Sequence, residues 1–479
     1  MSRRPLVGGL PVEELALWHR ARRYAVPRWM IQGATEARSA GDWRSACAVS
    51  AVDVALDLAR IGERYGAAVR DSVADDLAHL APDLLRWHLP RVVYGTVLAP
   101  RRVILLARHG SPADTEAAYL AVLTPARYDG PQRPVLDFLA ADAAEVVSGS
   151  VVENWTLSRH LWDARHAPEL RERCGGGAGR LPFFHADGTP LGPRELPDTD
   201  PAADPADTDP AAREEWVAVL QARGDIVGAF AAAGVEADLT TLPRASDVIA
   251  GLPLDLPRMV REVRRLVSAG IADRFRIPGA YGGNILLEPA GPGAHVPLRA
   301  RARELYRHSS APTVPRTAWR RLPDLQLVRT GRVAPEELHP LVAAALFPAA
   351  GPAYGPPGPP AALEPVRVRC GGAWHLIAFR DGELRIPHSA REQQREQAVR
   401  AFGGAVGGCF AVQRAWASGR GRLPRALRPL RRELFERARH GDAPGVAALL
   451  AAGVDPAVRD NETGLSLQDA LGPLGPEAG

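Results

Sequence analysis

The stretch LFERARHGDAPGVAALLAAGVDP, residues 434–456, carries the strongest structural pattern in the sequence. Its apolar residues recur at spacings of three and four, which predicts two short one-sided helices over 432–440 and 444–452. Gly441 and Gly453 lie where these helices end, and glycine adopts the left-handed backbone of such turns without strain. The pattern therefore predicts a pair of helices whose apolar sides face each other. Those apolar positions are Leu434, Ala438, Val446, Leu449 and Leu450.

The same helical pair resembles an ankyrin repeat, in which an alanine and a Gly-Asp turn follow the first helix, Val-x-x-Leu-Leu lies in the second, and Gly-x-Asp and a final aspartate complete the unit. The matching positions are Leu434, Ala438, Gly441, Asp442, Val446, Leu449, Leu450, Gly453, Asp455 and Asp460. A second unit begins at once, where Leu467 and Ala470 match, although Thr463 stands at the position of the turn glycine and Gly464 is one residue late. The resemblance implies about one and a half repeats within 432–471 that bind a partner protein and carry no chemistry of their own.

The whole chain loosely resembles ankyrin-repeat-containing proteins of high-G+C bacteria, in which a large front region precedes the repeats. A repeat cannot bury its apolar side alone, and about three repeats are usually needed for independent stability. We therefore expect these helices to pack on the preceding domain, to meet a partner protein, or to belong to a shortened array.

The composition excludes several classes of enzyme, because the chain has no lysine. Of its 479 residues, 46% are hydrophobic and 24% are charged, and all 59 basic residues are arginine. A chain without lysine forms no Schiff base with a substrate or pyridoxal phosphate, and it has no Walker A or kinase lysine. The net charge of +4 is mild for this length, so it permits nucleic-acid contact without arguing for it.

The location predicted from the sequence is the cytoplasm. No apolar run reaches the roughly 18 residues that a membrane-spanning helix needs. Two arginines near the start resemble a twin-arginine export signal, but Glu13 and Glu14 interrupt the apolar stretch that such a signal requires. We therefore predict a protein partner, no membrane partner and no small-molecule cofactor.

Hydrophobic periodicity and breaker residues predict an α+β multidomain protein with a helical start, a middle of helices and β-hairpins, and a carboxy-terminal helical hairpin. The predicted regions are a helical domain at 1–91, α+β domains at 92–186 and 213–347, linkers at 187–212 and 348–364, a β-hairpin with a helix at 365–424, and the ankyrin segment at 425–479. The strands are predicted at 91–98, 101–108, 117–125, 274–279, 284–289 and 325–331, and in a hairpin over 366–388 that turns at RDGE. Further helices are predicted around 154–173 and over 334–347 and 391–402, and Asp42 is predicted to cap a helix.

The tetrapeptide Ala-Arg-His-Gly occurs twice, at 107–110 and 438–441. An apolar strand that runs into Arg108-His109-Gly110 is typical of the nucleophile of histidine phosphatases, so a hydrolase that uses His109 is one alternative. The sequence instead favours an antiparallel hairpin there, and the later histidines lack the strand-end settings that a phosphatase needs. His440 precedes the turn glycine of the ankyrin-like unit, which predicts a structural role.

Two histidine-containing stretches carry candidate metal or catalytic residues. His160, Asp163 and His166, with Cys174 beyond, lie at spacings of three that place polar groups on one helix face. Cys370 and His375 form a second pair, which a strand would place on opposite faces unless the Gly-Gly turn between them folds them back. The four cysteines include no Cys-x-x-Cys pair, so we predict reduced, partly buried thiols, no metal and no catalytic residue.

The stretch at 420–440 holds eight arginines and is the best nucleic-acid candidate, because arginine binds phosphate with two parallel hydrogen bonds. Glu433 and Glu436 interrupt it, which favours a solvated helix that leads into the ankyrin-like unit. The sequence as a whole predicts a non-enzymatic interaction or adaptor protein, with a nucleic-acid-binding protein as a second alternative.

Overall fold

A computed structural model of the chain defines the fold. It describes residues 6–92, 96–110, 118–128, 131–140, 151–201, 209–238, 254–278, 283–291, 297–304, 311–360, 362–403, 407–460 and 464–467. The fold is mixed α and β, with helices and three sheets. The contacts between residues divide the chain into two compact units. The first comprises 1–22, 28–126 and 133–356, and the second comprises 23–27, 127–132 and 357–479.

Helices dominate the first part of the first unit, as the periodicity predicted for 12–90. The helices that begin in this unit are α1 (Val12–Tyr24), α2 (Arg28–Ser39), α3 (Trp43–Val49), α4 (Leu58–Tyr65), α5 (Ala67–His79), α6 (Pro82–His88), α7 (Leu170–Arg173), α8 (Pro210–Ala222), α9 (Ile226–Ala232), α10 (Leu256–Ser268), α11 (Arg316–Trp319), α12 (Pro323–Arg329) and α13 (Pro340–Leu346). The predicted cap is confirmed, since the Asp42 carboxylate accepts a hydrogen bond from the Ser45 amide at the start of α3.

The first sheet contains the predicted hairpin that ends at His109. Its strands are β1 (Asp53–Val54), β2 (Arg102–His109), β3 (Ala118–Leu123), β4 (Val135–Ala140) and β5 (Val151–Asn154), in the spatial order β1-β4-β3-β2-β5. Strands β2, β3 and β4 are antiparallel, whereas β1 lies parallel to β4 and β5 parallel to β2. The sequence did not predict β1, β4 or β5, and part of the strand predicted at 91–98 lies outside the described residues.

The second sheet repeats this plan. Its strands are β6 (Val235–Asp238), β7 (Phe275–Pro278), β8 (Gly283–Pro289) and β9 (Leu298–Glu304), in the order β6-β9-β8-β7. Strands β7, β8 and β9 form an antiparallel meander, and β6 lies parallel to β9 as β1 does to β4. The apolar side of α10 packs in one hydrophobic core with this sheet.

The two sheets follow the same kind of helical pair, which indicates an internal repeat within the first unit. A glycine with positive φ, Gly41 or Gly224, ends the first helix of each pair. An aspartate, Asp42 or Asp225, then caps the second helix by accepting a hydrogen bond from the amide three residues later.

Three of the predicted elements differ from the structure. Residues 325–331 were predicted as a strand, but most of them lie in α12, because Pro323 and Asp324 form a favourable first helical turn and the segment is buried. The helix around 154–173 is reduced to two 3₁₀ turns and the four-residue α7. The helix over 334–347 is divided, since a 3₁₀ turn precedes α13, and His339 caps α13 just before Pro340.

The second unit joins a small sheet to four helices. Its strands are β10 (Val366–Cys370), β11 (Ala373–Arg380) and β12 (Glu383–Arg385), and its helices are α14 (Ala390–Ala401), α15 (Gly408–Ser418), α16 (Leu427–Arg439) and α17 (Ala443–Ala451). The predicted hairpin with its RDGE turn and the predicted helix over 391–402 are confirmed. One hydrophobic core contains residues from both 365–424 and 425–467, so the helical pair packs on the sheet and α15 of its own unit.

The described helices include none that combines the length and the apolar character needed to cross a membrane.

Candidate metal centre

The structure gives His109 a buried, hydrogen-bonded setting at the end of β2. Its Nε2 lies 3.2 Å from a carboxylate oxygen of Asp76, and its Nδ1 lies 3.2 Å from the hydroxyl oxygen of Ser72. Arg159 donates two hydrogen bonds to the same carboxylate. Burial alone raises the pKa of Asp76, but the bonds from His109 and Arg159 hold that pKa below its usual value. The aspartate therefore accepts hydrogen bonds from Arg159 and lies in ion-pair contact with His109.

The predicted cluster of His160, Asp163 and His166 is not assembled as a ligand set. Asp163 instead accepts hydrogen bonds from Arg159 and Arg165, which occupy its carboxylate oxygens. His160 is buried, and burial lowers its pKa well below the usual value. Cys174 lies 3.6 Å from a nitrogen of Arg258. Guanidinium groups therefore take the place that a metal ion would need.

The second predicted pair, Cys370 and His375, lies on one face of the sheet. Two glycines with positive φ, Gly371 and Gly372, form the turn between β10 and β11, so the chain reverses directly after Cys370. On β11, His375 lies directly opposite Val368 of β10. Val368 is a core residue two positions before Cys370 on β10. Alternate residues of a strand share a face, so the turn brings the thiol and the imidazole together.

Two further residues, His388 and Cys409, complete the site. His388 follows β12 and stands just before Ser389, which forms a capping box with Glu392 at the start of α14. Cys409 lies in the first turn of α15. Together, Cys370, His375, His388 and Cys409 form the Cys2His2 cluster, in which one ligand atom from each residue lies within 4.8 Å of every other.

The distances within the Cys2His2 cluster are those of a tetrahedral zinc site. Nδ1 of His375 lies 3.2 Å from Nε2 of His388, and the Cys370–His388 and Cys409–His375 sulfur–nitrogen distances are both 3.6 Å. Bond lengths of about 2.05 Å to nitrogen and about 2.3 Å to sulfur, at tetrahedral angles, place two nitrogens about 3.3 Å apart and nitrogen about 3.6 Å from sulfur. Three of the distances between ligand atoms therefore match a tetrahedral zinc site, and the remaining ones are at most 4.8 Å.

Gly408 makes this close approach sterically feasible. It has a φ of 56°, and a Cβ at this position would lie 2.7 Å from Cβ and 2.9 Å from Cα of Cys370. Gly407, its neighbour, has a φ of −122° and nothing within 4 Å of such an atom. The structure therefore explains a glycine at 408 by the approach of α15 to the end of β10.

The surroundings of the cluster are largely apolar. Cys409 belongs to the hydrophobic core of the second unit, and burial together with the neighbouring Cys370 raises the pKa of its thiol to about 11. The ring of His388 packs against the rings of His375 and Phe410. Nδ1 of His388, the nitrogen that faces away from the cluster, lies 3.9 Å from a carboxylate oxygen of Glu392. A carboxylate behind a ligating histidine commonly orients the ring in metal sites.

Sequence reasoning found half of the cluster. It identified Cys370 and His375 and stated that a Gly-Gly turn between them could bring them together. It assigned no metal, and it did not consider His388 or Cys409 as ligands. The spacings Cys-x4-His-x12-His-x20-Cys match no short zinc motif, and helix α14 lies between the two later ligands. The signal in the sequence was composition, because two of the four cysteines lie within 40 residues that also contain two histidines.

The residues predicted for the ankyrin segment build the helical pair itself. Leu434, Ala438, Val446 and Leu449 are buried in the core, and Leu450 is half-buried against it. Gly441 and Gly453 have positive φ at the helix ends.

Asp442 is buried, caps α17 through the Gly445 amide and forms an ion pair with Arg437. Asp455 accepts a hydrogen bond from the Ala457 amide. Asp460 is buried, and its backbone amide donates to the Leu465 carbonyl oxygen.

The rest of that segment is described in part. Leu467 is buried in the core of the second unit, whereas Thr463 and Ala470 lie outside the described residues. The second copy of Ala-Arg-His-Gly ends at the buried His440, whose Nε2 lies 3.7 Å from a Glu436 oxygen.

The arginine-rich stretch at 420–440 does not form a single exposed surface. Arg431 donates to the Ala415 carbonyl oxygen, and Arg437 is buried between Glu433 and Asp442. Arg420, Arg422, Arg425, Arg428 and Arg432 are exposed. Part of the positive charge therefore stabilises the fold.

The chain has no match among models of protein families, curated proteins or solved structures. The geometry of the Cys2His2 cluster is thus the observation on which a functional assignment rests.

Proposed function

We propose that the second unit binds one Zn²⁺ ion through Cys370, His375, His388 and Cys409, and that this ion is structural. The mutual distances of the four ligand atoms carry the proposal. Two thiolates and two imidazoles at tetrahedral spacing are a set that zinc prefers over the harder divalent ions. Four protein ligands leave no open position for water or substrate, and catalytic zinc sites keep such a position.

A structural ion here would stabilise three separate parts of the unit. Cys370 and His375 belong to the β10–β11 hairpin, His388 follows β12, and Cys409 begins α15. Joining them holds the sheet against α15, and the same core then continues into α16 and α17. The metal would therefore support the surface that the helical pair presents to solvent.

We propose further that this metal-supported unit is an interaction module and that the chain is not an enzyme. The ankyrin-like pattern of 434–460 supports a protein partner, since ankyrin units bind proteins. The apolar residues of the pattern lie in the core of the unit, so a partner would contact the outer side of α17, where Ala447 and Ala448 are exposed.

The metal proposal is tested by metal analysis of the purified full chain. We expect about one zinc per chain, and we expect Co²⁺ substitution to give the absorption of a tetrahedral cobalt site with thiolate ligands. Cys409→Ala should lose the metal, whereas Cys174→Ala should keep it, because Cys174 is a buried cysteine outside the cluster. Zinc retained in full by Cys409→Ala would contradict the proposal.

The interaction proposal is tested with two matched surface variants of the full chain. Ala448→Arg places a large charge on the exposed side of α17, and Ala68→Arg makes the same change at an exposed site of α5. Partner proteins captured by the wild type and by Ala68→Arg should be lost from Ala448→Arg while zinc content and thermal stability stay unchanged. Identical partners for both variants would locate recognition elsewhere on the chain.

A further inference from the structure

A cleft in the first unit is lined by an unusual number of arginines. This arginine-lined cleft includes Arg22, Arg91, Arg258, Arg316, Arg320 and Arg321. All of its lining residues belong to the first unit, so it is separate from the metal centre and from the proposed interaction surface.

Two of these arginines have carboxylate partners. Arg22 forms a two-bond pair with Asp324, at 2.8 and 2.7 Å, and donates a third bond to the Trp87 carbonyl oxygen. Arg320 donates to both oxygens of Glu14 at 2.8 Å. These charges are balanced within the fold.

Three other arginines of the cleft have no ion-pair partner within 4 Å among the residues that the structure describes. Arg258 is only 2% exposed, its guanidinium group donates to the Cys174 sulfur at 3.6 Å, and its Nε has no hydrogen-bond partner among the described residues. Arg321 donates to the neutral amide oxygen of Gln221. Arg316 forms no side-chain hydrogen bond, and burial and the nearby Arg320 lower its pKa.

Buried charge of one sign is costly unless an opposite charge compensates it. Two carboxylates, Glu14 and Glu153, line the cleft alongside the six guanidinium groups. Glu14 is already paired with Arg320, and Glu153 lies 3.6 Å from Arg102, so both carboxylates already have arginine partners. The cleft therefore retains an excess of positive charge that an anion would neutralise. Guanidinium groups recognise phosphate especially well, since their planar donors match two phosphate oxygens at once.

The remaining wall of the cleft is apolar. Trp18, Leu161 and Leu322 line it together with Pro90 and Pro323. An inorganic anion would leave this part of the cleft unfilled, whereas a ligand with a planar ring can pack on the Trp18 indole and the aliphatic side chains. The cleft thus combines sites for a charged group and for a flat apolar body.

We infer that the arginine-lined cleft binds an organic phosphate that carries a planar ring, with the phosphate held by Arg258, Arg316 and Arg321 and the ring packed against the apolar wall. This inference assigns the first unit a ligand, whereas the zinc proposal concerns the second unit. Failure of either leaves the other standing.

The test is calorimetric titration of the full chain with the four common ribonucleoside 5′-monophosphates, their uncharged nucleosides and inorganic pyrophosphate. At least one monophosphate should bind tenfold or more tightly than its nucleoside, and more tightly than pyrophosphate. Binding should weaken as salt is added, because the contacts are ionic. Absence of binding by all four monophosphates would overturn the inference. Pyrophosphate binding as tightly as the best monophosphate would also overturn it, since the apolar wall would then contribute nothing.

The variants assign the binding to these arginines. Arg258→Gln and Arg316→Gln should each weaken monophosphate binding about 10- to 100-fold, which corresponds to the loss of charge-assisted hydrogen bonds. Arg60→Gln, at an exposed site of α4, makes the same change in charge and should leave the affinity unchanged. Arg316→Lys keeps the charge and is the control for loss of binding through misfolding. It should retain more affinity than Arg316→Gln. Equal affinity in all four variants would place the ligand outside the cleft.

Discussion

Two regions of the chain bring histidine together with cysteine or carboxylate side chains, and they differ in what surrounds those groups. In the first unit, His160, Asp163 and His166 lie among arginines, and Arg159 and Arg165 bind the Asp163 carboxylate. In the Cys2His2 cluster, three pairs of ligand atoms lie 3.2 to 3.6 Å apart, all pairs lie within 4.8 Å, and the nearby core residues are apolar. We call the region of His160, Asp163 and His166 the arginine-bound cluster.

The difference shows that residue type alone does not define a metal site. Both regions contain suitable donors, but a donor already paired with a guanidinium group cannot also bind a cation without losing that pair. In the Cys2His2 cluster the four donors have mainly one another as polar neighbours, so a cation satisfies all of them at once. Selective disruption of each region should therefore have different consequences.

Removal of zinc should produce the largest effect. A chelator should destabilise the second unit by on the order of 5 kcal/mol or more, because metal binding and folding are coupled in small metal-supported domains. Cys174→Ala should respond to the chelator as the wild type does, whereas Cys409→Ala should not respond at all. Calorimetric unfolding of each protein with and without chelator measures this difference. A wild-type unfolding profile that the chelator leaves unchanged would contradict a structural role for the ion.

Asp163→Asn should be the most damaging change in the arginine-bound cluster. The asparagine keeps the size of the side chain but removes the charge that balances Arg159 and Arg165, and Asp163 is fully buried. We expect a loss of about 3 kcal/mol in the free energy of unfolding, less than for a fully buried pair because both arginines are partly exposed. Zinc content should not change. A variant with wild-type stability would show that the arginines find other partners.

Gly408→Ala probes the Cys2His2 cluster without removing a ligand. The added Cβ would collide with Cys370 in a backbone conformation that already disfavours alanine, so we expect about 2 kcal/mol of destabilisation and weaker zinc binding. Gly407→Ala is the matched control, because its Cβ would meet open space at a negative φ. Competition with a zinc indicator compares the two affinities. Equal affinities would show that α15 can shift away from β10.

The sequence predicted local parts of both regions better than it predicted their assembly. Both the Gly371–Gly372 turn and the RDGE turn are local; the sequence predicted the RDGE turn and left the Gly-Gly turn as an open alternative. The approach of Cys409 to Cys370 depends on how α15 packs on the sheet, and no spacing along the chain encodes that packing. The prediction of a strand at 325–331 was wrong for a related reason. Short apolar runs fit either a strand or a buried helix, and burial favoured the helix α12.

The internal repeat also depends on the packing of distant segments, which local sequence patterns do not encode. Its two copies share a Gly-Asp turn between helices and a sheet with one parallel edge strand, whereas their lengths and intervening segments differ. Pairing of β6 with β9 and of β1 with β4 joins residues far apart in the chain, and only the folded sheets reveal that the two arrangements are equivalent.

The smallest expected effect concerns the acid sensitivity of His160 in the arginine-bound cluster. Burial lowers the pKa of this histidine well below its value in the unfolded chain, so the folded state binds fewer protons there than the unfolded state does at mildly acidic pH. Its contribution to stability is therefore complete above about pH 6.5 and is lost as the pH falls, with a slope of at most about 1.4 kcal/mol per pH unit.

His160→Gln should flatten the decline in stability between neutral and mildly acidic pH. His79→Gln is the matched control, because His79 is partly exposed on α5. Chemical unfolding of the three proteins at a series of pH values gives the slopes. If His160→Gln declined as steeply as the wild type, His160 would titrate alike in the folded and unfolded states, and the arginine-bound cluster would differ from the Cys2His2 cluster in its charge partners alone.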